Sequence, residues 1–521
     1  MKDSKRSNTL LSASIVLLVA TLLSRVVGFL REFFIATNYG LSKVTDAFYY
    51  AITIPELLNK LVITGGIGTV LLPVFVGYIA NQQEMKSKKF YENIRNWIFL
   101  ILFILCLIIF LLSDYLIGTL SPSLPEEEVK LTVSFLQIVI FSNVLLSLSG
   151  LNKTFLNANK IFAPSAFAPV IQNVSFIILF ITLRPLFDFY ALPISFLISI
   201  IIQFIFQQVY ILYQFSIKPF SFGLQKDKLL IKLLILSFPA MLTMALTDLN
   251  VIIDRVLATN LKAGAVSSIM YANKLIQLPI GILGASIVAA YYPFITDSIK
   301  SENKENTQKL LFKGMKVITL ISFPVTLYFL MYSPQIVKYI FEYGAFTSEA
   351  TELTSEILTY YSWGLPSSLL ILMLIRVFHG YSDIKTPVVV GAALLVLKVG
   401  LSVLLIQNFS YKGLVFSTSL VSILGMLALL LIVIRRLGIN WGSFNYFFIV
   451  KTLGNILMTV VVLLIVKSFL PASDSLIGFI LTTFFFFFLY YIFALLLRVE
   501  EINELTKIIK KKIIKLTKKR F

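Results

Sequence analysis

Long apolar stretches recur from one end of this 521-residue chain to the other. Each is long enough to cross the hydrocarbon core of a membrane as a helix. Only 14% of the residues are charged, whereas about a quarter are charged in ordinary soluble domains. The sequence therefore predicts an all-α polytopic membrane protein. A β-barrel is disfavoured because the stretches are continuously apolar and do not alternate.

Charged residues and Pro/Gly clusters divide the apolar sequence into fourteen predicted transmembrane helices. Loops rich in Lys and Arg alternate along the chain with loops that are acidic or short, such as the one that holds Glu126, Glu127 and Glu128. By the positive-inside rule, this alternation predicts that both termini are cytoplasmic. The predicted helices are 10–30, 44–80, 93–120, 131–152, 164–183, 189–213, 230–259, 265–296, 310–341, 353–378, 387–407, 413–434, 445–469 and 474–497.

The basic charge does not indicate a nucleic-acid partner. The formal net charge is +19, but the basic residues lie in short loops between apolar spans, where they set topology. Cys106 and His379 are the sole residues of their types, so no Cys/His metal cluster can form. No nucleotide-binding signature is present either. We therefore expect no metal site, no bound cofactor and no catalysis.

The chain contains an internal duplication with a displacement of about 222 residues. FLNANKIFAP at 155–164 matches FHGYSDIKTP at 378–387, and IATN at 35–38 matches LATN at 257–260. The duplication predicts two pseudo-symmetric six-helix lobes around a central cavity, as in two-lobed transporters. The predicted domains are an N-terminal lobe (1–215, helices 1–6), a C-terminal lobe (216–440, helices 7–12), two final helices (441–499) and a basic amphipathic cytoplasmic tail (500–521).

Ionisable residues inside the predicted spans are costly, so they usually face a wet cavity or pair with each other. Arg25 and Lys274 lie deepest in their helices, and we expect them to line the cavity and bind an anion. Arg25 and Glu32 are two helical turns apart and are expected to pair. A blander alternative is open for Arg31, Glu32 and Asp46, which border the first loop and can snorkel to the interface. Asp254 and Arg255 have a similar alternative as an interfacial pair.

Several motifs resemble the MurJ lipid II flippase family of the MOP exporter superfamily. They are SRVVGFLRE, TDAFYYAITIPELLNKL followed by LLPVF, FLNANKIFAPSAFAPVIQN, DRVLATNLKAGAVSSIMYANKLIQLPIGILG, FEYGAFTSEATELTSEILTYYSWGLP and FHGYSDIKTP. They occur in order over about residues 10–440. The resemblance implies transport of lipid II, an undecaprenyl-diphosphate-linked peptidoglycan precursor, from the inner to the outer leaflet of a bacterial cytoplasmic membrane. It also implies alternating access.

The resemblance assigns substrate-binding residues position by position. Arg25 and Arg31 match the family's two first-helix arginines, and Asp46 matches the acid of its Asp-Ala-Phe stretch. Lys274 stands where the family has an arginine, so the charge is kept but the bidentate fork is lost. The family usually has two adjacent basic residues where this chain has Asn59 and Lys60, so one cavity cation is missing here.

A sodium site known in some family members matches Asp254, Lys398, Ser402, Leu414 and Thr418 in this chain. A lysine at such a site is hard to reconcile with a bound cation. We hypothesise that the Lys398 ammonium substitutes for sodium and pairs with Asp254. We expect membrane potential or an ion gradient to drive transport, and the protein to be a monomer among membrane lipids.

Other functions stay open. One alternative is a flippase for another undecaprenyl-linked glycan. An exporter of small cationic drugs is disfavoured. Its cavity would need acidic residues, whereas the intramembrane ionisable residues of the first repeat are rich in cations. An enzyme acting on polyprenyl phosphates needs clustered acids or a nucleophile with a base, and none cluster in the sequence. The last alternative is a non-transporting scaffold for cell-wall synthesis, in which the intramembrane arginines would have no functional role.

Overall fold

The regular structure of the described residues consists of helices, and no strand occurs among them, which confirms the all-α prediction. The structure is a computed structural model that describes residues 2–59, 68–217, 223–225, 249–438, 446–466, 475–499 and 501–502. The chain forms two compact units. The first comprises Met1–Met270 and Tyr343–Ala350, and the second comprises Tyr271–Glu342 and Thr351–Phe521.

The first unit contains long helices interrupted by short ones. Its described helices are α1 (Lys2–Tyr39), α2 (Lys43–Ala51), α3 (Thr53–Asn59), α4 (Gly68–Ala80), α5 (Glu84–Leu111), α6 (Ser113–Leu120), α7 (Glu126–Val139), α8 (Ser142–Ala158), α9 (Ala163–Phe187), α10 (Ala191–Phe215) and α11 (249–258). A 3₁₀ turn, Asp188–Tyr190, joins α9 to α10.

The start of α2 is fixed by a capping box. The Thr45 N–H donates to the Ser42 hydroxyl at 3.4 Å, and the Ser42 N–H donates to the Thr45 hydroxyl at 3.0 Å. These bonds satisfy backbone donors that a helix start otherwise leaves without partners. They also place Asp46 in the first turn of α2.

Aromatic side chains fill the core where α4, α5 and α8 meet. Phe75, Tyr91 and Phe155 are buried there, and the Phe75 and Phe155 rings meet edge to face at 5.3 Å. Such edge-to-face pairs are a favoured aromatic geometry. This packing joins the three helices through buried aromatic contacts.

The second unit contains the remaining helices. They are α12 (Ala265–Pro279), α13 (Ala285–Lys300), α14 (Lys304–Phe341), α15 (Ser348–Ser362), α16 (Leu365–Gly380), α17 (Lys385–Leu437), α18 (Tyr446–Val466) and α19 (Leu476–Leu496), of which α12 and α15 begin in the first unit. A single π-helical turn, Ile280–Gly284, separates α12 from α13.

Seven helical stretches in the described ranges are long and apolar enough to cross a membrane, and the bent pair α15–α16 makes an eighth. The chain is therefore a multi-pass membrane protein. Two of these stretches, Ala163–Phe215 and Lys385–Leu437, are 53 residues long. A straight helix of that length extends about 80 Å, far beyond a hydrocarbon core of about 30 Å.

Both of these long stretches are broken near their centres. Asp188 has φ 46° and ψ −124°, and Ser410 has φ 50° and ψ −134°. In α17 the hydroxyls of Ser402 and Ser417, on opposite sides of the break, are 2.7 Å apart. The two halves of α17 therefore fold back on each other as an antiparallel hairpin.

Left-handed backbone conformations recur at one displacement along the chain. Three pairs of positive-φ residues are each separated by 222 positions, which is the displacement of the sequence duplication. The pairs are Lys160 and Ser382 (φ 62° and 57°), Asp188 and Ser410 (φ 46° and 50°), and Ser216 and Gly438 (φ 53° and 67°). The duplication is therefore visible in local backbone geometry as well as in sequence.

The chain after α19 folds back onto the second unit. Val499 and Ile502 are buried in a cluster with Leu320, and Glu501 forms a 3.2 Å ion pair with Lys316 of α14. The predicted basic tail begins here, but apart from residues 501 and 502 it lies outside the described residues.

Candidate functional site

A network of charged and amide side chains surrounds Arg31 of α1 in the first unit. Its Nη2 is 2.7 Å from Glu32 Oε1, and its Nη1 donates to Asn173 Oδ1 at 3.2 Å. The guanidinium carbon also lies 5.5 Å from the centre of the Phe176 ring. The Arg31 side chain is 17% exposed, and an acid and an amide of the protein hold its guanidinium.

The partner of Glu32 differs from the sequence-based expectation. Glu32 forms its ion pair with its neighbour Arg31 and not with Arg25. The hydroxyl of Tyr49 donates to Glu32 Oε2 at 2.5 Å. Glu32 is 1% exposed, so this carboxylate is a buried acceptor for groups on α1 and α2.

Asn173 of α9 is oriented by its own helix. Its Nδ2 donates to the Pro169 carbonyl at 2.9 Å, which leaves Oδ1 directed at Arg31. Gly28 of α1 faces the same amide, and a Cβ at Gly28 would lie 3.4 Å from Nδ2. This is an ordinary van der Waals distance, so α1 and α9 are in normal packing contact at this point.

Arg25 lies about 9 Å along α1 from Arg31, from six residues at the helical rise. It is half-buried, and its guanidinium makes no ion pair or hydrogen bond with any residue that the structure describes. The Nε of Arg31 is buried and also has no acceptor among those residues. The two arginines of α1 thus retain donor capacity for an anion.

A second ion pair joins α3 to α11. Arg255 Nη2 is 2.9 Å from Glu56 Oε2, and its Nη1 donates to the Thr53 hydroxyl at 2.9 Å. Arg255 is 4% exposed, so it is a buried residue of the bundle. The expectation of an interfacial Asp254–Arg255 pair is wrong for Arg255, whose partner is Glu56.

Asn59 ends α3, and its side-chain oxygen is buried without a donor in the described part of the chain. Its predicted companion Lys60 lies outside the described residues.

Asp46 binds the start of α12. Its Oδ2 accepts from the Gly264 N–H at 2.7 Å, and its Oδ1 accepts from the Ser267 N–H at 2.8 Å and the Ser267 hydroxyl at 2.6 Å. Backbone N–H groups at a helix start carry partial positive charge and favour an anionic acceptor. Asp46 therefore acts as a capping group supplied by another helix.

Asp46 also lines a cavity of 310 Å³ within the first unit. The cavity has mixed charge, because Lys43, Glu128 and Lys262 face it as well. Lys43 is 3.3 Å from Glu128, and Lys262 is 2.8 Å from Glu349. These lysines are thus already neutralised by acids.

The remaining predicted residues are divided between the two units. Lys274 is half-buried on α12, in the second unit. Lys398 is 1% exposed on α17, one turn before Ser402, whose hydroxyl is bonded to that of Ser417. Thr418 is half-buried beside Ser417, and Asp254 of the first unit is 3% exposed. The pairing of Asp254 with Lys398 stays a prediction.

Tyr49, Thr53, Glu56 and Asn173 were not singled out from the sequence. Their partners are 17 to 202 residues away, so no local spacing points to them. The structure identifies them by their polar contacts between helices, which involve side chains of α2, α3 and α9.

Comparison with known families matches most of the chain. The family model described as "Lipid II flippase MurJ" matches residues 35–489. The chain belongs to the lipid II flippase MurJ family. Arg25 and Arg31 precede the matched range, so their assignment rests on the SRVVGFLRE motif and on the contacts above.

Curated relatives agree with this family. A protein of Buchnera aphidicola subsp. Acyrthosiphon pisum (strain APS), named "Probable lipid II flippase MurJ", is 27% identical over 461 residues. The alignment covers 88% of this chain and 90% of the relative. The likeness is therefore spread over nearly the full length of both proteins.

Solved structures show the fold. A structure titled "Lipid II flippase MurJ, inward closed conformation" has a TM-score of 0.80 at 24% identity, covering 92% of this chain and 98% of the other. An inward-facing MATE family multidrug transporter of the MOP superfamily has a TM-score of 0.67 at 13% identity, covering 81% and 98%. The chain thus has the polytopic MurJ/MATE-like fold.

Proposed function

We propose that this chain is a lipid II flippase of a bacterial cytoplasmic membrane. It moves the undecaprenyl-diphosphate-linked peptidoglycan precursor from the inner to the outer leaflet by alternating access. The observation that carries the proposal is the family match over residues 35–489. Transport of this kind requires neither bond formation nor a cofactor, so we propose no enzymatic activity.

The site supplies what an anionic headgroup needs to leave water. A diphosphate crossing a membrane must exchange its hydration for fixed donors, because charge is costly in the hydrocarbon region. Arginine presents a planar fork that matches phosphate oxygens in bidentate fashion. Arg31, held by Glu32 and Asn173, is the positioned donor, and Arg25 is the donor with unfilled bonding capacity.

The proposed substrate-binding set consists of Arg25, Arg31, Asp46, Asn59, Lys60 and Lys274. Within it Asp46 plays a different part from the cations, since its carboxylate oxygens are bonded to the start of α12. Its contribution is to hold that helix start in place. The cations are the members proposed to contact phosphate.

The finer architecture is also a proposal. It comprises fourteen spans, two six-helix lobes around a central cavity, two further helices and a cytoplasmic basic tail, with both termini cytoplasmic and the protein a monomer. The three turn pairs at a displacement of 222 residues support the two repeats. The hairpin break at Ser410 supports counting α17 as two spans.

Transport by this chain is proposed to be independent of bound sodium and to be driven by membrane potential or another ion gradient. The residues matching the family's sodium site do not fit that ion. Lys398 places a buried ammonium one turn from Ser402, and a fixed positive charge repels a second cation. Asp254, Ser402 and Thr418 are among the other residues that the family resemblance assigns to this site.

The test is rescue of a bacterium depleted of its own lipid II flippase, scored by the accessibility of lipid II at the outer face. Rescue with restored accessibility is the expected result. Rescue of growth without restored accessibility indicates a scaffold. Failure of both, with the protein present in the membrane and another lipid-linked glycan transported, indicates a different substrate.

A further inference from the structure

Arg255 is a buried guanidinium with a partner that can be displaced. The arginine is 4% exposed, whereas the Glu56 side chain that pairs with it is 37% exposed. The Nε of Arg255 is buried and has no acceptor among the described residues. Glu56 is therefore the more accessible member of this ion pair.

The same carboxylate acts on a second arginine. Glu56 lies within electrostatic range of the Arg31 guanidinium, which is itself bonded to Glu32. Glu56 thus pairs directly with Arg255 of α11 and has a weaker electrostatic interaction with Arg31 of α1. An anion with more than one charge and several acceptor oxygens would satisfy both arginines better than a single carboxylate does.

The position of this pair matters because Asn59, at the end of α3, is uncharged. Asn59 lies three residues after Glu56, on the same face of α3, and stands where the family usually has a basic residue. Its buried side-chain oxygen has no donor in the described part of the chain. Arg255 brings a guanidinium from α11 to within one helical turn of this gap.

We infer that Arg255 is a further phosphate-binding residue of this chain and that Glu56 holds its place while no substrate is bound. When the headgroup arrives, a phosphate oxygen replaces Glu56 Oε2 on Arg255, and Glu56 turns toward the aqueous side. Arg255 thereby supplies the cation that Asn59 does not. The inference rests on the proposed function, which provides the diphosphate.

Binding of undecaprenyl diphosphate to the purified full-length protein in detergent tests the inference. Arg255→Met is expected to weaken binding about tenfold, the loss of a charge-assisted hydrogen bond. Glu56→Gln is expected to tighten binding several-fold, because the competing carboxylate is gone. Arg184 lies near the end of α9 and donates a hydrogen bond to Asn38 of α1. The control variant Arg184→Met is expected to bind undecaprenyl diphosphate as the wild type does.

The double variant Glu56→Met/Arg255→Met distinguishes a loss of substrate binding from a loss of folding. Replacing both members of a buried ion pair by apolar residues is often neutral for folding, so this variant is expected to fold. The inference predicts that its binding is as weak as that of Arg255→Met. Wild-type binding by the double variant, or weaker binding by Glu56→Gln, overturns the inference.

A further arm distinguishes this inference from the proposed function. Arg31→Ala is expected to lose binding if the proposed function holds. If the wild type binds, Arg31→Ala does not, and the Arg255 variants bind normally, only the role of Arg255 is wrong. If the wild type does not bind undecaprenyl diphosphate, both proposals are wrong.

Discussion

Tyr49 donates a 2.5 Å hydrogen bond to one oxygen of Glu32, whose other oxygen lies 2.7 Å from Arg31. The three residues come from two helices and balance a buried negative charge with a positive one. Asn173 holds the far side of the Arg31 guanidinium. The orientation of the proposed phosphate donor is therefore set before any substrate enters.

Tyr49→Phe is expected to destabilise the protein by about 1.5–3 kcal/mol, the contribution of a hydrogen bond to a charged group. The variant removes one donor from the buried Glu32 carboxylate. The melting midpoint in detergent is the measurement, and Tyr213→Phe, at a site that is 91% exposed, is the matched control. Equal midpoints for both variants contradict the structural importance of the Tyr49–Glu32 bond.

Arg25→Ala and Arg31→Ala are each expected to abolish flipping while protein levels in the membrane stay nearly normal. Each removes a donor proposed to contact the diphosphate. The measurement is rescue of flippase-depleted cells together with immunoblotting of membranes, with Arg184→Ala as the arginine control. Wild-type rescue by either variant refutes its assigned role.

Asp46→Asn is expected to destabilise the protein by about 1–2 kcal/mol, the usual loss on removing a helix-capping acceptor. The neutral amide cannot accept from both the Gly264 and the Ser267 N–H groups without turning its own NH₂ toward one of them. The melting midpoint is compared with that of Glu126→Gln, whose acid is exposed. An unchanged midpoint together with lost substrate binding shows that Asp46 acts on the substrate instead.

Replacing sodium by potassium in reconstituted vesicles is expected to leave transport unchanged in the wild type. Lys398→Asn, which removes the buried ammonium, is expected to introduce a response to sodium. Transport is followed at constant membrane potential, so that the two cations differ solely in site binding. Clear sodium dependence in the wild type is incompatible with the proposed role of Lys398.

The sequence was sufficient for the helical class and the family, because apolar runs and ordered motifs are visible in one dimension. The ion-pair partners of the charged residues could not be predicted from the sequence. Adjacent residues such as Arg31 and Glu32 do not share a helix face by periodicity, so helical spacing does not predict their pairing. The Arg255–Glu56 pair joins residues about two hundred positions apart, for which spacing gives no information.

The break at Ser410 also affects how the chain enters a membrane. A reversal made by so few residues leaves no polar loop that can be translocated separately from its flanking helices. An isolated half of α17 would present Lys398 and Ser402 to lipid, whereas the closed hairpin lets Ser402 bond to Ser417. The two halves are therefore expected to insert as a preassembled pair. The stability of the single turn at Ser410 is then expected to determine the yield of correctly inserted protein.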